Sequence, residues 1–192
     1  MTDIPHPLIG LVGVKRSGKD TFAAGLVERG YTRVAFADPL REMVEEIDPW
    51  LITPPWQPEP TIRLLQALQI YGGWEGLKDT PYGPEARRLL QQSGQAVRRR
   101  GPGFWLNAGL AEATGALMEG APGVVITDVR YKNEADAIQR DGGILVRIVR
   151  PDLVSTDTHP SETELADYPT DFTIRNSGTA DELVALARDL RF

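Results

Sequence analysis

The sequence predicts a three-layer α/β/α domain on a five-stranded parallel sheet, with a helical insertion between the second and third strands. Three observations carry this prediction. Short apolar runs alternate with stretches of helical periodicity, as in successive β-α-β units. The first apolar run leads into a glycine-bearing turn that opens a helix. Polar residues then follow several of the apolar runs, and ligands of α/β sheets sit at the carboxyl ends of the strands.

Leu8 to Val12 reads as the first strand, and a helical pattern from Lys19 to Arg29 stops at Gly30. Arg33 to Ala37 is a second buried strand, closed by Asp38-Pro39, and Leu40 to Ile47 a short helix. Pro49 to Pro60 holds five prolines together with Trp50 and Trp56, which excludes a regular element and leaves a loop or flap. Thr61 to Tyr71 is helical in pattern, Gly72 to Pro84 a loop, and Glu85 to Arg100 a strong helix. Phe104 to Glu119 is a further helix after the break at Gly101-Pro102-Gly103. Val124 to Thr127 is the third strand, ended by Asp128. Asn133 to Arg140 is a helix stopped by Gly142-Gly143, and Ile144 to Val149 the fourth strand. Arg150 to Pro169 is polar and irregular, Phe172 to Arg175 the fifth strand, and Ala180 to Leu190 the closing helix. The expected organisation is one domain over residues 1–192, with an insertion over about 39–120 and a lid over about 150–170.

Composition excludes several classes. No cysteine is present, so disulfides and thiolate metal sites are ruled out. His6 and His159 are the two histidines, too few for a multi-histidine metal centre. No apolar run approaches membrane-spanning length, and the first residues lack the basic and apolar regions of a secretory signal. A cytoplasmic protein without membrane partners is the expectation. A net charge of −6 argues against wrapping a nucleic acid, whereas a small anionic substrate needs only a local basic pocket.

The strongest motif is Gly13-Val14-Lys15-Arg16-Ser17-Gly18-Lys19-Asp20-Thr21. Its glycines permit a tight turn whose N–H groups face phosphate oxygens, and the helix it opens adds partial positive charge. Lys19 is placed to reach the β and γ phosphates. Asp20 stands where Ser or Thr is usual, so the Mg²⁺ ligand is either the Asp20 carboxylate or the Thr21 hydroxyl, directly or through water.

Several further segments join this loop. They are Phe36-Ala37-Asp38-Pro39-Leu40-Arg41, Arg88-Leu89-Leu90-Gln91 with Gly94, and Phe104-Trp105. Thr127-Asp128-Val129-Arg130-Tyr131-Lys132-Asn133-Glu134 follows, then His159-Pro160-Ser161-Glu162 and Asn176-Ser177-Gly178-Thr179. In this order and spacing, spanning Leu8 to Leu190, the set resembles the deoxynucleoside monophosphate kinases of tailed bacteriophages. The chain departs from that pattern at Gly94-Gln95-Ala96, where the family often has Gly-Thr-Glu. The resemblance implies ATP-dependent phosphorylation of a dNMP to a dNDP with Mg²⁺. It implies a P-loop kinase core of strand order 2-3-1-4-5, a substrate-binding insertion, a mobile lid and a homodimer.

Each candidate residue carries a functional and a structural reading. Asp38 is either a helix cap before Pro39 or a group near the reacting phosphates, and Arg41, one turn on, a phosphate ligand or a surface arginine. Arg88, Gln91, Gln92, Gln95 and Arg99 recur at helical spacing, as a solvated face or as a recognition face for a base edge and a 5′-phosphate. Trp74, Trp105 and Tyr71 are either core residues or stacking partners for the base. Asp128 is a helix cap or a second acidic residue for Mg²⁺. Arg130 is the expected ligand of the acceptor phosphate, with Glu134 to orient it, and Arg150 the arginine that a lid would bring in. Ser161 with Glu164 fits a capping box, against the resemblance of His159, Ser161 and Glu162 to the family's His-x-Ser-Glu. Asn176 and Gly178 lie in the loop that flanks adenine in the kinase fold, where Thr179 is also a helix cap. Phosphomevalonate-type and dephospho-coenzyme A-type kinases are the alternative enzymes, and a nucleotide-binding regulator without catalysis is the alternative class.

Overall fold

In the computed structural model, which describes residues 8–57, 59–153 and 159–191, the five apolar runs form one parallel sheet. β1 is Leu8–Val12, β2 Thr32–Val34, β5 Val124–Ile126, β6 Ile144–Val149 and β7 Phe172–Arg175. The order is β2-β5-β1-β6-β7, and every pairing is parallel. In order of appearance this is 2-3-1-4-5, as the resemblance implies. The chain runs outward from β1 to β2, returns through β5 on one side, and crosses to β6 on the other. β1 therefore sits at the switch point, and the segment after it opens at the carboxyl edge where α/β sheets bind ligands.

Two apolar faces explain the layers. Leu8 and Val12 of β1 pack in one cluster with Val124, Ile126 and Leu145, while Ile9 and Leu11 pack in another with Val125, Val146 and Ile148. This is the period of two expected of a strand buried on both sides. α6 (Phe104–Met118) and α7 (Lys132–Arg140) contribute Ala113, Ala135 and Ile138 to the first cluster. α1 (Lys19–Val27) and α9 (Ala180–Asp189) contribute Phe22, Leu26, Leu183 and Ala187 to the second.

The chain divides into two compact units, Met1–Phe36 with Leu106–Phe192, and Ala37–Trp105. The second unit has its own core of Val44, Leu51, Ile62, Leu64, Ala67 and Leu77 among others. It comprises α2 (Asp38–Ile47), β3 (Trp50–Leu51), β4 (Ile62–Arg63), α3 (Leu64–Tyr71), α4 (Gly73–Leu77) and α5 (Gly83–Arg100). α8 (Pro160–Thr163) is a single turn within the first unit.

Two expectations about local structure are corrected. The segment from Pro49 to Pro60 is not wholly irregular, because Trp50–Leu51 pairs antiparallel with Ile62–Arg63. The four paired residues are all non-proline, so the ladder forms at the two ends of the proline-rich stretch. Asp48 buttresses it, accepting from Leu65 N–H and from Arg63 Nε, both at 2.9 Å, while the Arg63 guanidinium lies 5.2 Å from the Trp50 ring. The loop expected over 72–84 contains α4, whose N-cap Gly72 and first residue Gly73 both have positive φ. Residue 58 of the proline-rich stretch, residues 154–158 of the expected lid, and His6 lie outside the described residues.

Packing of α1 on α9 holds the helix that the Gly-rich turn opens. A Cβ on Gly25 would lie 2.2 Å from the Val184 carbonyl oxygen and 2.8 Å from Ala187 Cβ. Backbone cannot yield as a side-chain tip can, so Gly25→Val should cost about 2 kcal/mol or more of stability. Urea unfolding checks this through a lower midpoint at unchanged slope. An unchanged midpoint would show that the two helices separate without penalty.

Candidate active site

The turn between β1 and α1 has the shape a phosphate cradle requires. Gly13, Arg16 and Gly18 all have positive φ, at 152, 65 and 106°. A Cβ on Gly13 would meet the Ile148 carbonyl oxygen at 2.5 Å and Ser17 Oγ at 2.7 Å, and one on Gly18 would meet Asn176 Nδ2 at 2.5 Å. Conformation and space therefore both demand glycine at these two positions.

Asn176, which follows β7, fastens this turn. Its Nδ2 donates to the Ser17 carbonyl at 2.8 Å, and its own N–H donates to the Val149 carbonyl at 2.7 Å. Ser17 Oγ is the buried side-chain oxygen that lacks a partner among the described residues. Lys19 is itself buried, and its Nζ folds over the turn to donate to the carbonyls of Gly13 and Val14 at 2.7 and 2.9 Å. A glycine cradle, an orphaned buried hydroxyl and an ammonium turned inward together suit a polyphosphate.

Burial holds the Lys19 pKa down, to about 8, and the nearby Arg130 guanidinium pushes the same way. Glu162, Asp20 and Asp128 oppose these effects without cancelling them. Arg130 behaves differently. Desolvation disfavours its charge, but Asp128, Glu162 and Glu134 outweigh that and hold its pKa above the ordinary arginine value.

Asp128 and Arg130 follow β5. Asp128 Oδ1 accepts the Phe36 N–H at 2.7 Å, so it ties the end of β5 to the chain leaving β2. It caps no helix, since α7 begins only at Lys132. Glu134 is buried, and its Oε2 accepts the backbone N–H groups of Arg130 and Tyr131 at 2.8 and 3.1 Å. It thus fixes the Arg130 backbone, while Arg130 Nη1 pairs with the Glu162 carboxylate. The first unit brings together Lys15, Lys19, Asp128, Arg130 and Glu162. Asp20 is exposed in the first turn of α1, with Thr21 beside it, and Arg150 is exposed in the turn after β6.

The remaining candidates lie in the second unit. Asp38 is not the cap of α2: Ala37 holds that position, and Asp38, in the first turn, pairs with Arg41 Nη1 at 3.0 Å. Arg88 is bound along its own helix, with Nε and Nη2 at 2.7 Å from the two oxygens of Glu85 and Nη1 at 2.6 Å from Gln92 Oε1. Gln91 and Arg99 are carried by the same helix α5, and Arg99 is exposed near its end. Trp74 donates its indole N–H to Glu45. Trp105 is 3% exposed and donates to the Gly94 carbonyl at 3.1 Å, so of its two readings, core residue or stacking partner, the structure supports the core one.

Asn176, expected in the loop that flanks adenine, acts through its side-chain clamp on Ser17. Two further contributors were left unassigned from sequence. Arg147, within β6, donates to the carbonyls of Leu165 and Tyr168. Glu162 stands inside the His-x-Ser-Glu segment, which was the available signal, but no spacing rule joins it to a loop so far away in sequence. The Ser161–Glu164 capping box is not formed. The cap of α8 is His159, whose Nδ1 accepts the Ser161 N–H at 3.2 Å, and Glu164 instead accepts the Lys132 N–H at 2.8 Å.

A 2-3-1-4-5 parallel sheet with a phosphate loop after its central strand, and a buried lysine and an arginine at the same edge, defines a P-loop phosphotransferase. Comparison with known proteins narrows the class. The family model "Deoxynucleotide monophosphate kinase" matches residues 85–186, more than half of the chain. A protein of Acanthamoeba polyphaga mimivirus that carries the same name provisionally is 38% identical over 191 residues, covering 91% of each chain. The deoxynucleotide monophosphate kinase of Enterobacteria phage T4 is 29% identical over 99 residues, covering 50% of this chain and 41% of that one. Among solved structures, a dephospho-CoA kinase from Campylobacter jejuni aligns over 94% of this chain and 93% of its own, at 12% identity and a TM-score of 0.49. The chain belongs to the deoxynucleotide monophosphate kinase family, and is a phosphotransferase whose acceptor is a phosphate group. Membership implies ATP as donor. The phosphate loop lies outside the matched residues 85–186, so loop and family are separate observations.

The depressed Lys19 pKa gives a pH signature. Near pH 8 the ligand-free lysine is only partly protonated, and bound phosphates favour its charged form. ATP binding at pH 8 to 9 should therefore take up protons and weaken as pH rises, whereas at pH 6.5 Lys19 takes up almost none. Calorimetry in buffers of differing ionisation enthalpy measures the uptake, which should vanish in Lys19→Ala. Equal uptake in that variant would place the titration elsewhere.

Proposed function

We propose that this chain transfers the γ-phosphoryl group of ATP to a deoxynucleoside 5′-monophosphate, giving ADP and a dNDP for deoxynucleotide supply. The carrying observation is the meeting of Lys19 and Arg130 at the carboxyl edge of the sheet, with Lys19 folded over the glycine-bearing turn that opens α1. Viral relatives of that name support the substrate class. The reaction joins an acceptor phosphate oxygen to the γ-phosphorus and breaks its bond to the β–γ bridging oxygen. Such a transfer asks the protein mainly for alignment and for cancellation of developing charge.

Lys19 and backbone N–H groups of the loop from Gly13 to Thr21 serve the donor phosphates, while the Lys15 N–H is held by Glu162. Arg130 serves the acceptor phosphate and the transferring group, because its planar fork matches phosphate oxygens and stays charged at any working pH. Glu134 fixes the Arg130 backbone. The oxygens of Asp20, Thr21 and Asp128 suit a hard cation. Mg²⁺ held there would neutralise charge on the phosphates. In the second unit, the Gln91, Gln92 and Arg99 face of α5 offers the hydrogen bonds that a base edge and a 5′-phosphate require, and Arg41 and Arg88 are the further phosphate candidates. We place the reaction in the cytoplasm, where ATP and dNMPs are found, which is the host cytoplasm for a phage-encoded chain.

A coupled ADP-release assay with Mg²⁺ over a panel of dNMPs, phosphomevalonate and dephospho-coenzyme A tests the activity. Turnover is expected with at least one dNMP and not with the other two acceptors. Silence toward every dNMP would refute the assignment. Lys19→Ala should lower kcat by about 100-fold or more at an unchanged melting temperature, because it removes a preorganised charge from the transition state.

A further inference from the structure

The Glu162 carboxylate sits where two anion-seeking donors meet. Its Oε2 accepts the Lys15 N–H of the phosphate loop at 2.9 Å, and its Oε1 pairs with Arg130 Nη1. One donor follows β1 and the other follows β5, so a single side chain bridges two strand ends. That side chain is 3% exposed. A carboxylate so far from water is costly unless charge and hydrogen bonds answer it, and here a guanidinium and a backbone amide do.

The backbone around Glu162 is fastened as well. Arg147 Nη2 donates to the Leu165 and Tyr168 carbonyls at 2.9 and 2.6 Å. The Lys132 N–H donates to Glu164 Oε1, and Arg130 Nη1 also reaches the Ser161 carbonyl at 3.4 Å. Contacts from β6, from the start of α7 and from Arg130 itself thus set the position of this carboxylate.

We propose that Glu162 is a positioning residue for phosphoryl transfer, holding the Arg130 guanidinium against the phosphate loop before the transferring phosphate arrives. The inference rests on the reading that Arg130 serves that phosphate. A long side chain left free must be ordered at every turnover, whereas one already held adds charge stabilisation without reorganisation. Glu162 acts through Arg130 rather than on the phosphate, whose oxygens a carboxylate repels.

A double-mutant cycle on kcat tests this, using ATP and the best dNMP with Glu162→Ala, Glu162→Gln, Arg130→Ala and the Glu162→Ala/Arg130→Ala double variant. Circular dichroism verifies folding. Glu162→Ala should lower kcat by about 10- to 100-fold while changing the ATP dissociation constant by less than about threefold. Glu162→Gln keeps an oxygen toward Arg130 and should recover part of the loss. The double variant should be no slower than Arg130→Ala alone. Additive losses, or an unchanged kcat in Glu162→Ala, would overturn the proposal. So would tighter ATP binding at full kcat, the mark of a carboxylate that merely fills a phosphate seat until nucleotide displaces it. If Glu162→Ala does not fold, Glu162→Gln with Arg130→Ala carries the same cycle. A wild type silent toward every dNMP refutes the activity instead, and hydrogen exchange at the Lys15 amide then decides the contact. Slow exchange in wild type and fast exchange in Glu162→Ala supports it, and equal rates overturn it.

Discussion

A loop that grips phosphate with its backbone must leave N–H groups for the ligand, so its shape has to be held by other parts of the chain. Here the hold comes from the two strands on one side of β1. The Ile148 carbonyl of β6 leaves room only for glycine at position 13, and Asn176, after β7, clamps the Ser17 carbonyl. Asn176 is in turn placed by its N–H bond to Val149. The order of the sheet thus reaches the ligand site through named atoms. Gly25 belongs to the same chain of cause, because close packing of α1 on α9 fixes the helix whose first residue is Lys19.

The charges at this edge divide into two kinds. Lys19 is buried and repelled by Arg130, so its proton is held loosely. Arg130 lies near Asp128, Glu162 and Glu134, and a guanidinium cannot be discharged at any working pH. Side by side, the lysine is the member whose charge responds to pH and to ligand, and the arginine supplies constant charge. This division follows from chemistry and neighbours together, since burial opposes the charge of both.

The centre of the sheet was legible in the sequence because β1, β5 and most of β6 are buried on both faces, and apolar runs such as Leu8 to Val12 mark their own ends. The phosphate loop was legible because its chemistry is local: two glycines, a lysine and a helix start within a few residues. Glu162 was not, since its partners lie 147 and 32 residues away and meet it only once β1, β5 and α8 are placed. Trp105 stayed open between two readings for the opposite reason. An aromatic beside a glycine-rich break has the same local pattern whether it faces a ligand or the core, and only burial decides. Asp38 and Asp128 each invited a cap reading from sequence, yet the first pairs with Arg41 and the second with the Phe36 amide. A carboxylate's partner is set by tertiary neighbours more often than by its own turn.

The same logic separates the two sets of arginines. Arg88 is paired with Glu85 and Gln92 on an exposed face of α5, and exposed pairs within one helix contribute little. Exchange of Glu85 for another anion there would cost little. The Arg130–Glu162 pair differs because the carboxylate is nearly sealed from water and also carries the Lys15 amide. Separating that pair would strand a buried charge, which costs far more than exposure would return. The Arg88 pairing is therefore easily exchanged, while the Arg130–Glu162 pairing is held in one arrangement.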